Sequence, residues 1–361
     1  MSVRIIQVLP TIIYGDAVGN DTLAIKELLA SWGYETEIYA DGIDLRVYEK
    51  YKILPASELQ NVDSKDIMIY HLSVGSRLNK RIQGLKCRKI ARYHNVTPPE
   101  FFEEYSRFVY SACIGGLEDV KALNRTFDYG IAVSDFNRKD LISYGYKCPI
   151  DVCPILIPFK DYEKKPKQSV IEKYSDGKTN VLFVGRVAPN KKQEDIIAAF
   201  SCYQRNYDPE ARLFIVGFGE GMELYQERLN EYVRQLNVKN VIFTGKVSFD
   251  EILAYYNVAD ILLCMSEHEG FCVPLVEAMY FNVPIIAYAS SGIPYTLDGT
   301  GILLQEKDPL LTAGIMNRII VDKELKDTLL ENQKHRLEDF SYSNISEQLK
   351  ELLTNFIKES I

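Results

Sequence analysis

The chain has 361 residues, 47% hydrophobic and 25% charged, which is enough for two ordinary domains with separate cores and too apolar for a disordered polymer. Its formal net charge of −8 argues against a general nucleic-acid binder, and no apolar run approaches the ~18 residues of a membrane-spanning helix. Seven scattered cysteines with no Cys-x2-Cys pair give no zinc framework and read as reduced thiols in a cytosolic compartment.

Val3 to Leu9 reads as a first strand; the stretch from Val3 to Tyr14 is too short, and interrupted by Pro10, for the apolar core of a signal peptide. Leu23, Ile25, Leu28, Leu29 and Trp32 share one face of a helix beginning near Asn20 or Asp21. Between them lies the loop Tyr14-Gly15-Asp16-Ala17-Val18-Gly19, at a strand's C-terminal end, where open parallel sheets meet ligands. Further strands are expected at residues 35–40, 66–71 and around 89–93. His71 ends one of these, and His94 ends the next, ahead of two prolines that hold the loop extended. Taken singly, a histidine at position 94 is more often a satisfied structural residue than a site residue, and His71 is the weaker candidate of the two. Between Ile67 and Pro99 there is no acid, while Arg77, Lys80, Arg81, Lys86, Arg88, Lys89 and Arg92 are all present. Such a segment is either a solvated face or a patch for anionic lipid headgroups or a phosphate-bearing acceptor.

Residues 101–123 are helical in pattern with Gly115-Gly116 as an interruption, residues 127–133 form a strand, and Ser134 caps the helix after it. Pro154 to Pro158 and the charged run Lys160 to Gln168 break the pattern. The expected organisation is therefore a first α/β domain over 1–157, a linker over 158–175, a second α/β domain over 176–340 and a last helix over 341–361. The second domain repeats strand and helix, with strands at 181–184, 212–216, 241–244, 261–265 and 283–288 and a capping box at Ser248-x-x-Glu251. The last helix carries Ile345, Leu349, Leu352, Leu353, Phe356 and Ile357 on one stripe beside Glu347, Glu351 and Glu359. It suits an intramolecular contact or a partner surface better than a membrane.

Two motifs in the second domain carry chemistry. Val184-Gly185-Arg186-Val187-Ala188-Pro189-Asn190-Lys191 follows a strand, so an arginine fork and a lysine point charge, five apart on one loop, can converge on a diphosphate. Ser266-Glu267-His268-Glu269-Gly270-Phe271-Cys272-Val273-Pro274-Leu275-Val276-Glu277 places Glu269 on a loop and Glu277 in the helix that Pro274 starts. Gly270 and Phe271 lie at that helix's N-terminus, where free N–H groups favour an anion. Gly217-Phe-Gly219-Glu-Gly221 departs from a dinucleotide fingerprint in spacing and reads as a tight turn under a nucleotide.

The pair Gly-Arg-x4-Lys and Glu-x7-Glu resembles the retaining glycosyltransferases of family 4, the group 1 transferases of GT-B fold, with two Rossmann-like doubly wound parallel-sheet domains facing a central cleft. The resemblance implies that Arg186 and Lys191, with Gly270 and Phe271, bind the donor diphosphate, that Glu269 meets the hexose hydroxyls, and that Glu277 takes the ribose. It further implies that Gly217 and Gly219 form the nucleotide turn, that Gly15 and Asp16 lie on an acceptor and phosphate loop, and that His94 faces the sugar near its reacting carbon, so that His94 and Glu269 are the catalytic pair. Tyr295 stands where the family's Gly-Gly-Ile-Pro turn is followed by Glu, and Gly15-Asp16 stands where Gly-Gly is common. His71 to Ser76 and Tyr93 to Phe102 are similar to bacterial surface-polysaccharide transferases, which implies a glycan or lipid-linked acceptor and a cytoplasmic site, with peripheral contact to an anionic membrane through Arg77–Arg92. No Asp-x-Asp occurs, so the expected reaction uses a UDP- or GDP-sugar with no metal or other cofactor. The alternatives are a catalytically inactive nucleotide- or glycan-binding partner subunit and a nucleotide-sugar epimerase.

Overall fold

Apolar strands alternating with amphipathic helices can bury both faces of a sheet only if the strands run parallel and the helices cross over between them. A computed structural model, which describes residues 3–13 and 15–358, has this arrangement twice. Within those residues the chain divides into two compact units. One comprises the chain up to Pro99, Tyr110–Pro158 and the chain from Phe340 on; the other comprises Glu100–Val109 and Phe159–Asp339.

The first unit is built on β1 (Arg4–Ile12), β2 (Glu35–Ile43), β3 (Leu54–Pro55), β4 (Ile67–Leu72), β5 (Arg88–Tyr93), β6 (Tyr129–Ala132) and β7 (Ile150–Val152). They form one parallel sheet in the order β3-β2-β1-β4-β5-β6-β7. Successive side chains serve opposite faces. Ile6, Met68, Tyr70 and Leu72 join one core cluster, and Ile5, Ile67 and Ile69 join another. The second of these faces is closed by the helix Ala17–Ser31 and by the last helix, Tyr342–Lys358, through Ile345, Leu349, Leu353 and Phe356. Arg88 lies 3.6 Å from the Phe356 ring centroid and donates to the Phe356 carbonyl at 2.8 Å, while Phe356 stacks on Tyr129. The stripe on the last helix is therefore spent inside the first unit. Glu359, like Tyr14 of the first loop, lies outside the described residues.

The second unit repeats the plan with β8 (Asn180–Val184), β9 (Arg212–Val216), β10 (Val241–Gly245), β11 (Ile261–Cys264), β12 (Ile285–Tyr288) and β13 (Ile302–Leu304), in the parallel order β10-β9-β8-β11-β12-β13. Sequence patterning missed only the short strands β3, β7 and β13. Gly115-Gly116 does not interrupt its helix, which runs Arg107–Ala122; the helix instead backs so closely onto the chain at Gly75 that a Cβ on residue 116 would lie 2.9 Å from the Gly75 nitrogen. The first helix begins at Ala17, earlier than expected, because the Asp16 carboxylate accepts from the Gly19 N–H and caps it. The stretch with linker composition forms the turn Phe159–Glu163 and the helix Gln168–Tyr174 within the second unit.

Four cations of the acid-free segment have internal partners. Arg81 donates to the Ala56 and Ser57 carbonyls, Lys89 to Leu85 and Cys87, Arg88 to Phe356, and Arg92 is fully buried against Asp21. No helix among the described residues is long and apolar enough to cross a membrane.

Phe356→Ala removes an aromatic that stacks on Tyr129 and underlies Arg88, and is expected to cost about 3–5 kcal/mol. Urea unfolding followed by tryptophan fluorescence checks it, because the chain's one tryptophan, Trp32, packs against the same cluster.

Candidate functional site

In the second unit the strand order reverses between β8 and β11, so the loops after these strands part and leave a crevice at the sheet's C-terminal edge. The loop after β8 ends in the turn Pro189–Lys191, and the loop after β11 runs into the helix Val273–Tyr280. The Glu267 N–H donates to the Asn190 carbonyl at 2.8 Å, and Asn190 Nδ2 donates to the His268 carbonyl at 3.1 Å. With the loops tied in this way, Lys191 Nζ lies 2.6 Å from Glu269 Oε1. Burial pulls the Lys191 pKa down, but the Glu269 carboxylate outweighs it, and the net shift is upward. A third loop completes the frame: the Glu269 N–H donates to Ser291 Oγ at 2.7 Å, and the Gly292 N–H to the Glu269 carbonyl at 2.9 Å.

Arg186 is exposed on the loop after β8 and donates to the Glu220 carbonyl at 2.8 Å. Arg186 and Lys191, expected to converge on one diphosphate, thus have different partners here. The turn at Gly217 and Gly219 crosses the Arg186 loop at backbone contact. A Cβ on residue 217, whose φ is +143°, would lie 2.0 Å from the Gly185 carbonyl oxygen, so only glycine fits. Phe271 is buried, and its carbonyl accepts from Thr296 Oγ1. Glu277, in the helix after this loop, accepts from Tyr162 at Oε1 (2.9 Å) and from Tyr256 at Oε2 (2.7 Å). Burial raises its pKa, and the two tyrosine hydroxyls only partly oppose that.

In the first unit the reversal lies between β1 and β4. Gly15 sits on the loop after β1 with φ +85°, and Asp16 follows it as the helix cap, its pKa raised by burial to about 6. His71 ends β4, and His94 follows β5. Their rings are 5.3 Å apart, with His71 Nδ1 3.0 Å from His94 Nε2. Beneath them Asp21 receives Arg92 Nε at 2.9 Å, Arg92 Nη2 at 3.1 Å and the Leu156 N–H at 2.8 Å. Burial opposes ionisation of Asp21, and Arg92 outweighs it, so its pKa is lowered. His94, buried, titrates at about 4.

Sequence reasoning named Arg186, Lys191, Glu269, Gly270, Phe271, Gly217 and Gly219, which lie on the loops after β8, β9 and β11, Glu277, in the helix after β11, and Gly15, Asp16 and His94, on the loops after β1 and β5. It missed Gln7, Asp21 and Arg92, and the tyrosines on Glu277. The usable signal was polarity out of place: Gln7 inside the apolar first strand, and a carboxylate and a guanidinium in elements otherwise facing the core. Among the described residues two groups of side chains could hold a metal ion, Asp21 with His71 and His94, and Cys264 with Glu269 and Cys272. Asp21 is already engaged by Arg92, and Glu269 by Lys191.

Residues 164–336 match the model of the family "Glycosyl transferases group 1". An uncharacterized glycosyltransferase of Methanocaldococcus jannaschii is 28% identical over 72% of this chain and 64% of its own. The GalNAc-alpha-(1->4)-GalNAc-alpha-(1->3)-diNAcBac-PP-undecaprenol alpha-1,4-N-acetyl-D-galactosaminyltransferase of Campylobacter jejuni is 28% identical over 48% of this chain and 47% of its own. The chain thus spans less than two thirds of these relatives' lengths. The crystal structure of Anabaena HepE with UDP-glucose superimposes with a TM-score of 0.77 at 19% identity, covering 97% of this chain and 99% of that one, a likeness of fold. The two Rossmann-like parallel-sheet domains expected from the sequence are the fold observed.

Because the folded state holds the Glu277 proton more tightly than the unfolded chain, Glu277 should make stability fall as pH rises from the ordinary glutamate range through its raised value. Glu277→Gln is expected to lack that decline, which urea unfolding in mildly acid and mildly alkaline buffers measures.

Proposed function

We propose that this chain is a glycosyltransferase that moves a hexosyl unit from a nucleotide sugar to a glycan or lipid-linked acceptor, with retention of configuration and without a metal. The observation that carries the reading is the Lys191–Glu269 pair at the β8/β11 reversal, inside the stretch that matches the group 1 family. The family match over residues 164–336 and the relatives named as glycosyltransferases support the reading of an enzyme. The Campylobacter jejuni relative, named for an undecaprenol-linked substrate, supports the acceptor class.

The chemistry follows from charge. The departing diphosphate needs positive charge fixed in advance, and Arg186, Lys191 and the N–H groups at the start of the helix Val273–Tyr280 supply it. Glu269, backed by Lys191, accepts hydrogen bonds from hexose hydroxyls, and Glu277 exchanges its tyrosine donors for a ribose diol. With no third carboxylate assigned as nucleophile, the donor phosphate itself takes the acceptor's proton, and attack comes from the face that the diphosphate leaves. Retention is carried over from the family resemblance. Membrane contact through Arg77–Arg92 is left with Arg77, Lys80 and Lys86, since the other cations have internal partners.

Arg186→Ala and Lys191→Ala should each lower kcat/KM by about 10²- to 10³-fold, the scale of losing one preorganised electrostatic group. Release of nucleoside diphosphate from a panel of UDP and GDP sugars measures this, and EDTA should leave the wild-type rate unchanged. Sugar isomerised without acceptor would point to an epimerase, and no turnover of any sugar nucleotide to a partner subunit. Glu277→Gln should weaken nucleotide binding about 10- to 100-fold, the worth of hydrogen bonds to a charged acceptor, as read by calorimetric titration.

A further inference from the structure

One chain of hydrogen bonds in the first unit has a direction that can be worked out from its fixed end. Gln7 Nε2 lies 3.0 Å from the Thr22 carbonyl oxygen, which only accepts, so the amide nitrogen must face it and Gln7 Oε1 must face the other way. That oxygen is 2.9 Å from His71 Nε2, so His71 carries its proton on Nε2. Both rings are buried, and the Asp21 carboxylate beside them is already paired with Arg92, so a further cation there would lack a counter-charge and each ring is neutral with one proton. His71 Nδ1 is then a bare acceptor. At 3.0 Å from it, His94 Nε2 must be the donor. Asp21 agrees in sign, because its carboxylate, an acceptor only, lies 3.7 Å from the same nitrogen. The last atom in the series is His94 Nδ1. Its side chain is 3% exposed, and Nδ1 is buried with no hydrogen-bond partner among the described residues.

We propose that Gln7 and His71 are positioning residues that lock His94 in its Nε2–H tautomer, so that His94 presents the bare lone pair of Nδ1 to a hydroxyl group of the bound ligand. A buried acceptor without a donor is costly and is relieved by an O–H or N–H group, whereas a phosphate or carboxylate oxygen would meet lone pair against lone pair. His94 therefore receives a hydrogen bond and gives none at this atom. The assignment of the hydroxyl to a hexose rests on the transferase reading above; the assignment of the tautomer does not. In the transfer reaction the residue orients the sugar as a neutral acceptor, and it is not the acid that protonates a leaving group.

The chain has four histidines, so a long-range proton–nitrogen spectrum of the full-length protein with labelled histidine is simple to assign from single-site variants. The wild-type spectrum should show His94 and His71 both protonated at Nε2 and bare at Nδ1. A proton on His94 Nδ1, or on both nitrogens at neutral pH, overturns the proposal, and this measurement requires no variant to fold. Gln7→Met keeps the volume and removes the acceptor. It should bring the second His94 tautomer into the spectrum and lower kcat about tenfold, the loss of one hydrogen bond made in the transition state, with the donor KM little changed. If Gln7→Met lowers only the melting temperature, leaving the ring tautomers and kcat as they were, Gln7 is merely structural and the relay is refuted. The expected tautomers in a protein that turns over no sugar nucleotide would support the relay and remove the transferase reading alone.

Discussion

Both units depend on one topological constraint, the reversal of strand order beside their first strand. Right-handed crossovers wind the helices to one side for strands laid down in one direction and to the other side after the reversal. Two neighbouring loops therefore part at β1/β4 and again at β8/β11. Lys191 and Glu269 sit on loops beside the second of these gaps and Glu277 on the helix that follows, whereas Gln7 and His71 lie inside the strands β1 and β4 beside the first. The loops themselves are short and tied by backbone hydrogen bonds, such as Glu267 to Asn190, so the charges they carry are held by the sheet and do not wander with flexible chain.

The gaps are lined differently, and the difference is electrostatic. In the second unit a lysine and a glutamate face each other across the crevice, and a glutamate nearby is held by two tyrosines. These groups stay partly accessible, and each has a partner that a ligand can replace. In the first unit the charges lie deeper. Asp21 and Arg92 are fully buried, where desolvation of each costs several kcal/mol and only a bidentate geometry with further hydrogen bonds offsets it. Arg92 meets that requirement through the Cys153 and Pro154 carbonyls, and Asp21 through the Leu156 N–H. The pair joins the first helix, β5 and the segment after β7, and it gives the two histidines a rigid floor.

The sequence was most legible where a pattern is local. Strand and helix alternate at the expected places because apolar runs and capping residues act over a few positions; Ser134 caps its helix, and Glu251 reaches back to the Ser248 N–H. Arg186, Lys191, Glu269 and Glu277 could be read as a set because their spacing is fixed by two strand-to-helix loops. The remainder is not local. Gln7, Asp21, His71 and Arg92 belong to four different elements and His94 to the loop after β5, and only the folded sheet brings them together. Gly115-Gly116, two poor helix formers, sit in an unbroken helix because tertiary packing against Gly75 outweighs their intrinsic preference. The linker composition of residues 158–175 likewise concealed a turn whose Tyr162 reaches Glu277.

The last helix, Tyr342–Lys358, belongs to the unit that the first strand begins, and the whole second unit intervenes in the chain between them. During synthesis from the N-terminus, the face formed by Ile5, Ile67 and Ile69 is without Ile345, Leu349, Leu353 and Phe356 until the second unit has been made. The second unit is one continuous stretch, Phe159–Asp339, apart from the short piece Glu100–Val109, so it can close first. The order of completion is thus the reverse of the order of translation: the half that emerges first is sealed last. Until then it exposes an apolar sheet face, the kind of surface that holds a nascent chain on a chaperone.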